Sequence, residues 1–120
     1  MTTILIVDDN LLNLELAADV LELADFDVIT ADSGHEAITK AEQIHPDLIL
    51  MDLRMPEMSG LEAMLALHGN EATRDIPVAV LTASAMKGDE EHLLASGFSA
   101  YLQKPIDPSR FADQIAALLP

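Results

Sequence analysis

Leu48–Gly60 reads LILMDLRMPEMSG: four consecutive apolar residues, Leu48 to Met51, end in Asp52 and are followed by a loop that leads to Ser59 and Gly60. An unbroken apolar run of this length is how a strand buried on both faces of a sheet reads. Ser59 with Glu62 three residues later fits a capping box at a helix start. The stretch is strand, loop and helix, with a carboxylate where the strand stops. Runs of the same kind lie on either side, at Ile4–Val7 and Val78–Leu81, together with Ala100–Leu102 and the more mixed Val28–Thr30, which suits an edge. Longer amphipathic segments separate them. Five strands alternating with helices predict a parallel sheet inside a doubly wound α/β sandwich, (βα)5.

The helices carry further signals. Ser33 with Glu36 fits a second capping box, and Asp107 before Pro108 fits an N-cap with proline in the first helical position. Leu14, Ala17, Ala18 and Leu21 make an apolar stripe in the first helix, as do Phe111, Ile115 and Leu118 in the last, so both are expected to pack on the sheet. The segment from Met86 to Ser96 differs. Lys87–His92 is almost wholly polar, Leu93 and Leu94 are its apolar anchor, and Gly97 closes it. A helix held so loosely is suited to move.

Composition sets outer bounds. With 120 residues, half of them apolar, the chain suits one domain over residues 1–120. It has no cysteine, which removes disulfides, thiolate metal sites and thiol nucleophiles. The opening apolar run is too short for a secretory segment and lacks a basic flank, and no window is long enough for a membrane span, so a cytoplasmic protein is the default expectation. Twenty-one acidic residues against six Lys and Arg give a net charge of −15, a field that repels nucleic acid and anionic lipid surfaces. Such a surface favours a basic protein partner or a divalent cation, or it serves only solubility.

In an open parallel sheet, ligands gather at the carboxyl ends of the strands. The residues at those ends are Asp8 and Asp9 after the first run, Asp52 after the third, Thr82 after the fourth and Lys104 before Pro105 after the fifth. All should converge on one edge. Three crowded carboxylates repel one another unless a cation sits among them, and oxygen-only ligands with room for water suit Mg²⁺. Lys104 then offers a fixed positive charge to a phosphoryl oxygen, and the Thr82 hydroxyl a donor to another. Phosphoryl transfer needs chiefly positioning and charge neutralisation, which this set provides.

With LIVDDN around Asp8 and Asp9, LILMDLRMPEMSG around Asp52, VLTASA around Thr82 and YLQKP around Lys104, the chain resembles two-component response-regulator receivers over essentially its whole length. The half running TASAMKGDEEHLLASGFSAYLQKPI is most similar to single-domain cell-cycle regulators and to receivers of hybrid sensor kinases. The resemblance implies a flavodoxin-like sheet and a phosphoryl group accepted by Asp52 from a sensor histidine kinase or histidine phosphotransfer protein. It implies Mg²⁺ held by Asp9, Asp52 and the backbone carbonyl of Arg54, with Asp8 acting through a metal-bound water. Lys104 would pair with the phosphoryl group. Thr82 would swing toward it, and the ring of Tyr101 would turn inward behind it. A downstream protein would read the change on the face of the fourth helix, fifth strand and fifth helix. Such a protein is a phosphoacceptor that assists its own phosphorylation and slow dephosphorylation, not an enzyme. A cis peptide at Lys104–Pro105 is also implied.

Blander readings stand beside these. Asp8 or Asp9 fits a cap for the first helix, as does Asn10. Tyr101 fits half-buried packing, and Arg54 fits either a solvated arginine or a group that tunes dephosphorylation. His35, His45, His68 and His92 lack metal-ligand spacing and read as surface residues. Met51, Met55, Met58, Met64 and Met86 read as packing, and Gly60 as a turn into the third helix. A flavin or nucleotide binder is disfavoured because Asp8–Asp9–Asn10 puts negative charge where a phosphate cradle wants glycines. A phosphatase with an aspartyl-phosphate intermediate is disfavoured by Arg54, where such enzymes of the haloacid-dehalogenase type carry a second acid. The remaining rival is a pseudo-receiver that binds its partner without phosphorylation, and the complete acid, threonine and lysine set argues against it.

Overall fold

The computed structural model describes residues 2–83 and 89–119. The chain alternates β1 (Thr3–Val7), α1 (Leu11–Leu23), β2 (Asp27–Ala31), α2 (Gly34–Ile44), β3 (Leu48–Asp52), α3 (Gly60–His68), β4 (Val78–Thr82), α4 (Asp89–Ser96), β5 (Ala100–Gln103) and α5 (Phe111–Leu118). Every strand pairing is parallel and the order is β2-β1-β3-β4-β5. This is the doubly wound (βα)5 sandwich that the apolar runs predict, with the flavodoxin-like sheet that the resemblance implies. The continuously apolar β3 and β4 are wholly buried and central, whereas β2 is a half-exposed edge. Lys40 on α2 donates to the Thr30 carbonyl and so occupies an acceptor on that edge.

Alternation along the strands sorts the core into two layers. Leu5, Val7, Ile49, Met51, Val78 and Val80 face α2, α3 and α4, meeting Ala37, Ala41, Met64, Leu67 and Leu93. Ile4, Ile6, Leu48, Leu50 and Ala79 face α1 and α5, meeting Leu14, Ala17, Ala18, Leu21, Phe111 and Ile115. The α1 stripe is buried as its spacing predicts, while Leu118 in α5 is only partly buried.

Three local expectations need correction. Among the described side chains of α4 only Leu93 anchors the helix, because Leu94, one residue on, is rotated out to solvent. Met86 and Lys87 lie outside the described residues. The N-cap expected at Asp107 belongs to a turn instead: its carboxylate accepts from the Ser109 amide at 3.0 Å and hydroxyl at 2.7 Å, and α5 begins at Phe111. At α2 the capping box is half formed. Ser33 accepts from the Glu36 amide, but the Glu36 carboxylate accepts from Asp32 rather than Ser33, and the same oxygen lies 3.4 Å from Lys40. At α3 the Ser59–Glu62 box is complete.

Gly60 does more than turn the chain. Its amide donates to the Leu53 carbonyl at 2.8 Å, and a Cβ there would stand 2.2 Å from the Asp52 carbonyl oxygen. The head of α3 thus lies directly against the end of β3, a closeness only glycine allows. Gly60→Ala is expected to lower stability by roughly 1–3 kcal/mol by overpacking rigid backbone. An unshifted urea midpoint would show that the loop yields instead.

Candidate functional site

The carboxyl ends of β1, β3, β4 and β5 form one edge, and backbone bonds continue past the strands to fix the residues there. The Asp8 amide donates to the Ala31 carbonyl at 3.1 Å, and the Lys104 amide to the Thr82 carbonyl at 2.8 Å. Both ladders therefore run one residue further and aim Asp8 and Lys104 at the same cleft as Asp52, the last residue of β3. The peptide after Lys104, to Pro105, is cis. Asn10, not Asp8 or Asp9, caps α1, accepting from the Asn13 amide at 3.1 Å. That leaves both aspartates to the cleft.

Asp8 and Asp52 are buried and joined by one cation. The Lys104 ammonium donates to Asp8 Oδ2 at 2.9 Å and to Asp52 Oδ1 at 3.1 Å, while Asp8 Oδ1 accepts from the Asn10 amide at 2.9 Å. Asp9 is exposed at the rim, and each of the three carboxylates offers an oxygen within 4.8 Å of the others. Burial pushes the Asp52 carboxyl up from 3.8 to about 6; the charges of Asp8 and Asp9 add to this, and Lys104 opposes it by hydrogen bond and charge. Burial alone would lower the Lys104 pKa, but its hydrogen bonds and charge attraction to Asp8 and Asp52 leave it raised and firmly cationic.

The cleft holds about 490 Å³ and is also lined by Arg54, Thr82 and Asn13. Thr82 is buried. Tyr101 pairs in register with Val80, so it and Thr82 project on the same face of the sheet, where the half-buried Tyr101 packs on the α2, α3 and α4 core. Asn13 was not singled out by sequence; its place three residues beyond the α1 cap is the signal that marks it as facing the cleft. Met51 and Met64 are core residues, Met55 and Met58 pack partly buried against that core, and Met86 lies outside the described residues. Of the histidines, His35, His45 and His92 are exposed and His68 is half-buried. His45 lies 3.1 Å from Asp75 and holds its carboxyl below the usual range. An all-oxygen set of three carboxylates beside a cleft with room for water fits a hard divalent cation such as Mg²⁺.

Residues 4–116 match the response regulator receiver domain, and the chain belongs to that family. It is the receiver domain of a two-component response regulator. Within the family it is 46% identical over 117 residues to the polar-differentiation response regulator DivK of Brucella ovis, covering 98% of this chain and 95% of that protein. The DivK of Brucella anthropi is 44% identical over the same shares. Among solved structures, the chemotaxis response regulator CheY4 of Vibrio cholerae superposes with a TM-score of 0.92 at 28% identity over 99% of both chains. A response regulator from Desulfuromonas acetoxidans gives 0.90 at 31% identity over 98% of this chain and 96% of that one. The similarity to single-domain cell-cycle regulators read from the downstream half agrees with the DivK match. No helix among the described residues is long and apolar enough to cross a membrane.

Proposed function

We propose that the chain, residues 1–120, acts as one cytoplasmic phosphoacceptor unit that takes a phosphoryl group onto Asp52 from a phosphohistidine of a sensor histidine kinase or histidine phosphotransfer protein. The observation that carries this reading is the Lys104 ammonium bridging Asp8 and Asp52, with Asp9 close by. An Asp52 oxygen attacks phosphorus, the phosphorus–nitrogen bond to the donor imidazole breaks with its electron pair going to nitrogen, and a mixed anhydride results. Lys104 exchanges its Asp52 contact for a phosphoryl oxygen, and the Thr82 hydroxyl donates to another. Asp8, Asp9, Asp52 and the Arg54 backbone carbonyl are the groups that would hold Mg²⁺. The ion, when bound, supplies charge neutralisation to the transferring phosphoryl oxygens.

The signal leaves through α4, β5 and α5. Thr82 moving toward the phosphoryl group vacates space on the face it shares with Tyr101, and α4, whose buried anchor among the described side chains is Leu93, is the element whose population shifts. A downstream protein binds that face; nucleic acid and membrane are not partners. Hydrolysis of the chain's own phosphoryl group is slow, because no second acid stands at Arg54 to activate water.

The test is to incubate wild type and Asp52→Asn with acetyl phosphate and Mg²⁺ and weigh both intact. One phosphoryl on the wild type alone, and only with metal, is the expected result. Absence of any adduct, together with no beryllofluoride binding, would overturn the reading in favour of phosphorylation-independent binding. Tyr101→Ala is expected to keep labelling within about twofold and to weaken the coupling between phosphorylation and partner binding, which is normally on the order of 1–3 kcal/mol. Unchanged coupling in a titration of partner with and without beryllofluoride would remove Tyr101 from the switch.

A further inference from the structure

With no cysteine in the chain, the six methionines hold all of its sulfur and are its softest targets for a two-electron oxidant. Of those that the structure describes, Met51 and Met64 are sealed at 0% exposure, whereas Met55 and Met58 are half-buried on the loop between β3 and α3. That loop is bent against its preference. The Met58 amide donates to the Pro56 carbonyl at 2.7 Å, closing a γ-turn around Glu57, whose φ of 67° is one that residues other than glycine rarely adopt. The side chain that follows holds the bend in place. Met58 lies across the head of α2, its Sδ 2.8 Å and its Cγ 3.0 Å from where a Cβ on Gly34 would stand, and the Ala63 methyl of α3 is 3.3 Å from the same point. The thioether thus fills the space that glycine leaves, wedged between the first turns of α2 and α3 and packed against the core layer that contains Ala37 and Ala63.

We infer that Met58 is an oxidation site for hydrogen peroxide and that its sulfoxide unlatches the loop between β3 and α3. A lone pair on Sδ attacks one peroxide oxygen, the O–O bond breaks and a sulfur–oxygen bond forms. The proton on the transferred oxygen passes to the departing one, which leaves as water, so sulfur is oxidised by two electrons and the peroxide reduced by two. A thioether suits the carbons of Gly34 and Ala63. A sulfoxide carries a strong acceptor that water satisfies better than those carbons do, so the side chain is drawn out of its seat. With the wedge gone, the γ-turn at Glu57 opens and residues 54–58 move with it. This segment starts two residues after Asp52 and includes the Arg54 carbonyl, one of the groups proposed to hold Mg²⁺, so oxidation weakens the ion's site without touching a carboxylate. Only this last consequence rests on the proposed function; the oxidation and the opening of the loop do not.

The full chain is treated with hydrogen peroxide, folded and in urea, and each sulfoxide is placed by fragmentation mass spectrometry. Met58 is expected to oxidise about tenfold faster than Met51 and Met64 in the folded protein and at their rate in urea. NMR of the oxidised protein should show the Gly34, Met58 and Gly60 amides shifted. A Mg²⁺ titration followed by the same signals should give an affinity about tenfold lower, restored by a methionine sulfoxide reductase. Met58→Leu keeps an apolar wedge and takes no oxygen, so it is expected to bind Mg²⁺ within about twofold of the wild type and to hold that affinity through the peroxide treatment. Met58→Gln puts a polar group in the seat and should show the loss before any peroxide is added. Met55→Leu should respond to peroxide as the wild type does. Oxidation of Met58 no faster than of Met51 and Met64, unmoved Gly34 and Gly60 amides, or an equal loss of Mg²⁺ affinity in peroxide-treated Met58→Leu would each overturn the inference. If the reduced protein takes up no Mg²⁺, the proposed function fails at its metal site, while the masses and amide shifts still decide the oxidation and the latch.

Discussion

Lys104→Ala is expected to reduce phosphoryl labelling of Asp52 by on the order of 10²–10³-fold and to lower the metal-free stability by roughly 2–4 kcal/mol at neutral pH. Two effects of one side chain combine here. In the resting protein its ammonium is, among the described residues, the one cation bonded to two buried carboxylates, at 2.9 and 3.1 Å, and removing it leaves Asp8 and Asp52 facing each other across a partly dry cleft. In the proposed transfer the same charge meets the phosphoryl oxygens. Lys104→Arg separates the two effects. It keeps the charge but replaces a compact ammonium with a planar fork that cannot reproduce both contacts in the same space, so stability should recover more than labelling does. Urea midpoints and intact masses of the three proteins read both quantities. A Lys104→Ala protein of wild-type stability would show that the two carboxylates relax apart, and wild-type labelling would remove Lys104 from the chemistry.

How much of this is visible in the sequence depends on the range of the interaction involved. Asp52 and Thr82 stand out because a buried parallel strand is an unbroken apolar run, so the first polar residue after it marks the ligand edge, while Lys104 lies one residue beyond Gln103 at the end of the half-buried β5. That the cation joins Lys104 to Asp8, 96 residues away, is not written locally. It follows from the strand order, which places β1 beside β3 and lets both face β5 across the cleft. Asp107 makes the bonds of a cap, its carboxylate accepting from the Ser109 amide and its carbonyl from the Phe111 amide, but the turn it opens stands ahead of α5, which begins at Phe111 with Arg110 in the cap position. Leu94 failed as an anchor because two adjacent leucines on one turn cannot both face a single sheet.

The metal-free protein is expected to become less stable as pH rises from about 4 to about 6, and Mg²⁺ to reverse this at neutral pH. Asp52 has its carboxyl raised from 3.8 to about 6. Between those values the native protein holds a proton that the unfolded chain has released, so the stabilisation is fully present below 3.8 and is lost as pH climbs through about 6. The deficit above that window is on the order of 1–2 kcal/mol once solvent screening is allowed for. Asp75 and Asp107, whose carboxyls are lowered by His45 and Ser109, work in the opposite sense, contributing stability above 3.8 that is lost as pH falls. Asp52→Asn cancels these surface contributions from the comparison, because it changes only the cleft. The variant should show a flatter or rising curve through this window and exceed the wild type in stability at pH 7.5 without metal, since it removes one of three repelling charges. Adding Mg²⁺ at about a hundred times its dissociation constant should raise the wild type by about 2.7 kcal/mol, a shift in melting temperature of roughly 10 °C, and should raise Asp52→Asn far less because one ligand is gone. Differential scanning calorimetry of both proteins from pH 4 to 7.5, with and without Mg²⁺, reads all of this. A wild-type curve parallel to that of Asp52→Asn would mean that Lys104 already neutralises Asp52 fully, and equal stabilisation of both by Mg²⁺ would place the ion away from the three carboxylates.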